Sequence, residues 1–325
     1  MPQPTQSSVH IDAILTNISV AYMQQAGNFV ATKVFPLVPV EKQSNKFFKY
    51  TKNDWFRDEA QVRADATESA GGGYNLSTDS YSAMVWSFHK DVGDQTRANA
   101  DTPINLDREA AEFVTSRILL RQEIDWQQTF FTTGVWGTDY TGVSGTPSTN
   151  EFKQWSDYAN SDPLEDIEAA KEQILSTTGF EANTLVLGYQ AFRKLKNHPD
   201  LVDRIKYTSS NVITEEMMAR MFQVDRVLVT KSVKATNKEG ATGAYSFVHG
   251  KSAMLCYSAP NAGLLQPSAG YTFGWTGVSG GIGATIGTSR FRMESLKAER
   301  IEAEAAWAHK VIASDMGAFF ASVVA

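Results

Sequence analysis

The stretch from Phe35 to Val92 constrains this chain most. It opens with Phe35-Pro36-Leu37-Val38-Pro39-Val40 and continues through Lys46-Phe47-Phe48-Lys49-Tyr50 and Asn53-Asp54-Trp55-Phe56-Arg57. A small polar segment ends in Gly71-Gly72-Gly73-Tyr74, and the chain returns as Tyr81-Ser82-Ala83-Met84-Val85-Trp86-Ser87-Phe88-His89-Lys90. Two aromatic, strand-forming runs around a flexible tip predict one long β-hairpin over about 45–95. Each arm spans roughly 30 Å at about 3.3 Å per residue. A two-stranded ribbon is marginal in water by itself. Its open edges and aromatic faces need a neighbouring chain. The stretch therefore points to assembly rather than to an enzyme with a private pocket.

At 325 residues the chain can bury a sizeable core in one or two domains. A net charge of −6 gives no general attraction for nucleic acid or an anionic membrane. Cys256 is the only cysteine, which excludes an intrachain disulfide and suits a reducing compartment. The start, Met1-Pro2-Gln3-Pro4-Thr5-Gln6, lacks the basic and apolar regions of a secretory signal. No apolar run reaches the roughly 18 residues of a membrane span.

Ile11, Ile14, Leu15 and Ile18 sit at helical spacing and predict a short helix. Pro36 and Pro39 hold an extended segment. A long helix is expected from Asn105 to Phe131, capped by Asn105 or Thr102 and stopped by Gly134. Leu106, Ala110, Phe113, Leu120, Ile124 and Phe131 form its apolar stripe. Asp162-Pro163-Leu164-Glu165 starts a second helix that ends near Thr178, with Gly179 beyond it. Strands are expected at 184–187 and 226–233, from Glu299, and from Val311 to Val324, with a central strand or strand pair over 247–257; short helices at 189–197 and 215–222. Residues 263–290 hold eight glycines, too many for a regular core element. Helices and strands interleave without strict βαβ order, so the fold class is α+β.

Chemical motifs are sparse. Gly277-Val278-Ser279-Gly280-Gly281 matches a nucleophile elbow, but no helix follows and only His309 lies downstream as a base. A serine hydrolase is thus the weakest reading. The five histidines have no metal-ligand spacing, and the acidic cluster Glu294, Glu299, Glu302 and Glu304 reads as a solvated strand face. No cofactor and no catalytic residue are expected.

The ordered set of motifs resembles a known family. A polar arm leads to Val34-Phe35-Pro36-Leu37-Val38-Pro39-Val40; then come Asp54-Trp55-Phe56-Arg57-Asp58-Glu59, the Gly-rich tip, Phe88-His89-Lys90-Asp91 and the long charged helix. Asn197-His198-Pro199-Asp200 and Arg204-Ile205-Lys206-Tyr207 follow. This order is similar to the major capsid protein of tailed bacteriophages and prophages, the Hong Kong ninety-seven fold. The resemblance implies an N-terminal arm over 1–44 and an extended loop over 45–97. It also implies a peripheral domain with a spine helix over 98–180 and 291–325, and an axial domain over 181–290. It implies hexamers and pentamers closing into an icosahedral shell around packaged double-stranded DNA, located in the virion and assembled in the host cytoplasm. The expected partners are the chain itself, a separate scaffold, a portal and a decoration protein, with DNA held only by nonspecific proximity. Phe35, Trp55, Phe56, Arg57, Arg63, Tyr74, Trp86 and Phe88 are the expected subunit-interface residues. Some relatives crosslink through a lysine on the extended loop; this chain has no lysine between Asp58 and Ala83. An encapsulin-like compartment shell is the alternative within the same fold.

Overall fold

The chain organises around a 25-residue helix, Leu106–Phe130, roughly 38 Å long at 1.5 Å per residue. Its start is set locally: the Asn105 side chain accepts a hydrogen bond from the Arg108 amide, and Asp107 and Glu109 lie in the positive first turn. The computed structural model describes residues 24–50, 52–100, 104–205, 213–263, 266–278 and 286–325. The expected helix at Ile11–Ile18, the alternative cap Thr102 and the elbow serine Ser279 lie outside these residues. The buried stripe keeps Leu106, Ala110 and Phe131 of the expected one and differs between them. Within the helix it is Leu106, Ala110, Val114, Ile118, Gln122, Glu123, Trp126 and Phe130, while Phe113, Leu120 and Ile124 are half-buried beside it. Leu106, Ala110, Val114 and Ile118 pack on the strand the helix crosses, whereas Trp126 and Phe130 enter a different core.

That strand, Ala298–Val311, is 14 residues long and forms the axis of the first sheet. Ile301, Ala303, Ala305 and Trp307 alternate onto one face and pack against the helix. The two alanines let helix and sheet approach closely. Met84–Gly93 pairs antiparallel with Ala298–Trp307, and Gly287–Met293 pairs antiparallel with Ala298–Glu304. Gly270–Trp275 pairs with the other end, from Val311 to Trp307. Leu37–Val40 pairs parallel with Thr272–Trp275 and closes the order. Its position at the end of the sheet accommodates Pro39, which has no amide to donate.

A buried strand at Gly270–Trp275 overturns the expectation that the glycine-rich region is irregular. Glycine is required there for space. A Cβ on Gly270 would lie 2.8 Å from the ring of Phe130 and 3.2 Å from that of Phe35.

The second sheet has six strands in the order 151–153, 138–143, 317–321, 253–256, 184–188 and 226–230. Both faces are covered, so its central strands read as continuous apolar runs. Alternation sorts them between two cores. Leu185, Leu187, Ala253, Leu255, Ala318 and Phe320 face the helices Pro163–Thr178, Tyr189–Leu195 and Glu215–Met221. Val186, Met254, Cys256 and Phe319 face the end of the long helix and residues 30–35. The helix Pro163–Thr178 is bounded as its sequence requires: the Asp162 carboxylate accepts from the Leu164 and Glu165 amides, and Gly179 takes φ 72°. Of the single strand or strand pair expected over 247–257, the chain forms two strands, Tyr245–Phe247 and Ala253–Cys256, in different sheets, with Gly250 at φ 60° between them.

Candidate assembly surface

Ser44–Tyr50 pairs antiparallel with Leu76–Ser82, from Ser44 opposite Ser82 to Tyr50 opposite Leu76. The base of this ribbon is anchored to its own chain. Tyr81 stacks on Phe273 with centroids 4.5 Å apart, Phe47 reaches the same ring at 5.5 Å, and Lys310 pairs with Asp79 at 3.0 Å. Beyond the base the anchoring thins to a few contacts at the root of the tip. Every residue from 55 to 78 is exposed.

The far end still has local order. A single helical turn, Lys52–Trp55, follows the first strand. The Asp54 carboxylate accepts from the backbone and side-chain nitrogens of Asn75 at 2.8 and 3.0 Å, tying the two sides together. This tie brings Tyr50, Trp55 and Tyr74 into one aromatic cluster with centroids 5.7–6.1 Å apart. The cluster covers itself poorly: Trp55 is 54%, Phe56 59% and Tyr74 62% exposed. Phe48, Val62 and Leu76 add further exposed apolar surface on the same projection. Exposed apolar groups gathered on one projection mark an interaction site. Arg57 lies 3.6 Å from Glu59, and Arg63 donates to the Thr67 carbonyl. Lys52 pairs with Asp315, and Phe56 lies beside Gly179, so the root of the tip rests lightly on the second sheet's side of the chain.

Residues 146–261 match the family described as phage major capsid protein E. The major capsid protein of Burkholderia phage BcepMu is 26% identical over 277 residues, covering 81% of this chain and 82% of its own. That of Pseudomonas phage JBD67 is 25% identical and covers 97% of both chains. A phage-related protein from Bordetella bronchiseptica RB50 superposes with a TM-score of 0.68 at 23% identity, over 92% of this chain and 93% of that one. The capsid structure of cyanophage P-SCSP1u gives 0.62 at 9% identity, over 96% and 92%. The chain is a homologue of phage major capsid proteins. Its α+β fold is the phage capsid fold. An encapsulin from Synechococcus elongatus PCC 7942 shares that fold at a TM-score of 0.53 and 12% identity, over 96% and 95%.

On this chain the expected interface residues separate into two groups. Trp55, Phe56, Arg57, Arg63 and Tyr74 all lie on the exposed projection. Phe35 does not. It is 3% exposed, with its ring against Phe130 at 4.6 Å and near Trp126 and Trp136, so it is a core residue closed to any neighbour. Trp86 and Phe88 also leave the projection. The returning arm breaks at Ala83, whose amide donates to the Gln43 carbonyl, and the strand beyond it joins Ala298–Val311. Trp86 stacks on Trp307 at 5.8 Å under the Arg121 guanidinium, and Phe88 packs edge-on against Phe113. The hairpin thus ends at Ser82, and the pairing expected through Lys90 is replaced by a better-covered one.

The readings of chemistry also meet the structure. His309 is held inside the fold, its Nδ1 3.0 Å from Thr272 Oγ1 and its ring against Phe130 and Trp307. Burial pushes it down to about 4. Glu299 pairs with Arg97 and Arg290, which also hold Asp107 at the start of the spine helix. No group of three residues suited to hold a metal occurs among the described residues. None of their helices is long and apolar enough to cross a membrane.

Two important residues escaped the sequence reading. Glu123 accepts from the Val30 and Ala31 amides, both at 2.9 Å, and Arg226 donates to the Lys33 and Val34 carbonyls, both at 2.8 Å. Residues 30–34 lie outside the sheets, so the buried Glu123 and the half-buried Arg226 supply the partners that strands would otherwise provide. The available signal was a carboxylate beside the buried row of the spine helix.

Proposed function

We propose that this chain is the major capsid subunit of a phage, assembling as hexamers and pentamers into the icosahedral shell of the virion and enclosing double-stranded DNA. One observation carries the reading: a projection with Trp55, Phe56 and Tyr74 exposed on a chain homologous to capsid proteins. A lone subunit has no means to cover those rings. A neighbouring copy does, and head-to-tail contacts of this kind close by rotation into rings. Trp55, Phe56, Arg57, Arg63 and Tyr74 are the contacts given to the next subunit. The protein's role is structural rather than catalytic. A separate scaffold, a portal and a decoration protein are its further partners, with assembly in the host cytoplasm.

Electron microscopy of the expressed protein tests this. Closed shells built of hexamers and pentamers, empty or holding DNA, are expected. A monodisperse monomer under assembly conditions would refute shell formation. Shells that enclose a specific protein cargo would favour the encapsulin-type compartment instead.

A further inference from the structure

The carboxyl group of Glu123 sits at the junction of three parts of the molecule, fully buried. It projects from the spine helix. Its Oε2 caps the turn that begins at Val30 and Ala31, in the segment leading to Phe35. Its Oε1 accepts from Ser232 Oγ at 3.2 Å, just beyond the last strand of the six-stranded sheet. His249 faces the same oxygen, with Nε2 3.6 Å from Oε1 and Nδ1 3.5 Å from Ser232 Oγ. The imidazole is itself buried between Trp126 and Phe131. Its Nε2 has no hydrogen-bond partner.

The charged groups nearby do not neutralise this carboxylate. Lys33 is exposed on the turn and donates to the Gly27 carbonyl, and Lys234 acts on His249 and disfavours imidazolium. The spine helix adds Gln122 and Trp126, both uncharged. An ionised carboxylate buried without a cation is costly. A proton removes that cost. Oε1–H then donates to Ser232 Oγ, and the Ser232 O–H turns to donate to His249 Nδ1, the ring nitrogen it already faces. Oε2 remains free to accept both amides. An approach of about 0.5 Å brings the Ser232–His249 contact to ordinary hydrogen-bond distance.

We propose that Glu123, His249 and Ser232 form a proton-binding latch that holds residues 24–35 against the spine helix and the six-stranded sheet, and that loss of its one proton loosens this segment. The direction of ionisation agrees. Burial raises Glu123 to about 7 against donation by the two amides and Ser232, and lowers His249 to about 3. A carboxyl raised from 4.5 to about 7 favours the folded, latched state most below 4.5. That advantage is lost as pH rises through about 7.

The test is limited proteolysis of the full-length, unassembled chain across neutral pH, with cleavage within residues 24–35 mapped by mass spectrometry. Rates are normalised to the protease's activity at each pH. Between about pH 6 and about pH 8.5 the wild-type cleavage rate should rise about tenfold. In Glu123→Gln, whose amide accepts from the same backbone donors and donates to Ser232 without titrating, it should stay low and flat. Infrared spectroscopy provides a second readout that needs no Glu123 variant. In an Asp166→Asn background, which removes the other carboxyl pushed up among the described residues, to about 6, a protonated-carboxyl band should persist near pH 6 and vanish above neutrality. Flat wild-type cleavage, equal pH dependence in Glu123→Gln, or absence of that band would each overturn the latch.

Discussion

Replacing Trp55 with alanine separates assembly energy from folding energy. In the single chain Trp55 keeps 54% of its surface open. A tryptophan side chain can bury up to about 250 Å², so roughly 130 Å² is left for a neighbour to cover. At about 25 cal/mol per Å² this is about 3 kcal/mol per contact, on the order of a hundredfold in association constant. Within its own chain the ring gives up only its contacts with Tyr50 and Tyr74, about 1 kcal/mol on an exposed surface. Trp126→Ala is the contrast. That ring is fully buried, and its loss should cost about 3–5 kcal/mol of fold stability with or without neighbours. The assays are thermal melting of unassembled subunits and the critical concentration for shell assembly by light scattering. Trp55→Ala should raise the critical concentration strongly and leave melting almost unchanged. A critical concentration within about threefold of wild type would refute the anchor argument. So would a melting shift as large as that of Trp126→Ala.

Four further outcomes are expected. Boiled, reduced particles should run as one band near 35.8 kDa, because no lysine lies between Asp58 and Ala83; a ladder of multiples would show covalent joining. Amide exchange across 59–75 should be fast in free subunits and slow in shells, with the spine helix protected in both, since exposed residues there have little to offset their conformational entropy; equal protection in both states would discard the ordering argument. Gly270→Ala should destabilise the fold by about 1–3 kcal/mol in chemical denaturation, because its Cβ meets Phe130; an unchanged midpoint would mean that the ring can move aside. Burial raises Asp166 from 3.8 to about 6, so the stability it contributes is complete below 3.8 and lost as pH rises through about 6. Asp166→Asn should therefore gain about 1 kcal/mol at neutral pH after discounting for partial exposure, and a loss there would place the Trp155 hydrogen bond above the desolvation cost.

What the sequence determined is what neighbours along the chain control. Asn105, Asp162 with Pro163, Thr214 and Gly179 place helix ends because their hydrogen bonds or backbone angles involve residues at most a few positions away. The order of arm motif, aromatic strand, glycine tip and long helix carried the likeness to capsid proteins, and the exposed Trp55, Phe56 and Tyr74 were already conspicuous in a short polar loop.

Tertiary structure decided the rest. The run from Tyr81 to Lys90 is strand-forming throughout, but nothing local marks Ala83 as the point where it changes partners. The 14-residue strand Ala298–Val311, more than 200 positions away, buries Trp86, Phe88 and Val92 against the spine helix better than a thin ribbon can. Gly270 lies in a core strand because Phe35 and Phe130 converge on it from distant parts of the chain. Phe35 is a core residue for the same reason. Glu123 caps amides 92 and 93 positions away, a pairing that periodicity does not encode. Local rules place helix ends and turns, whereas the partners of strands and buried charges follow from which surfaces exclude water most completely once the chain is folded.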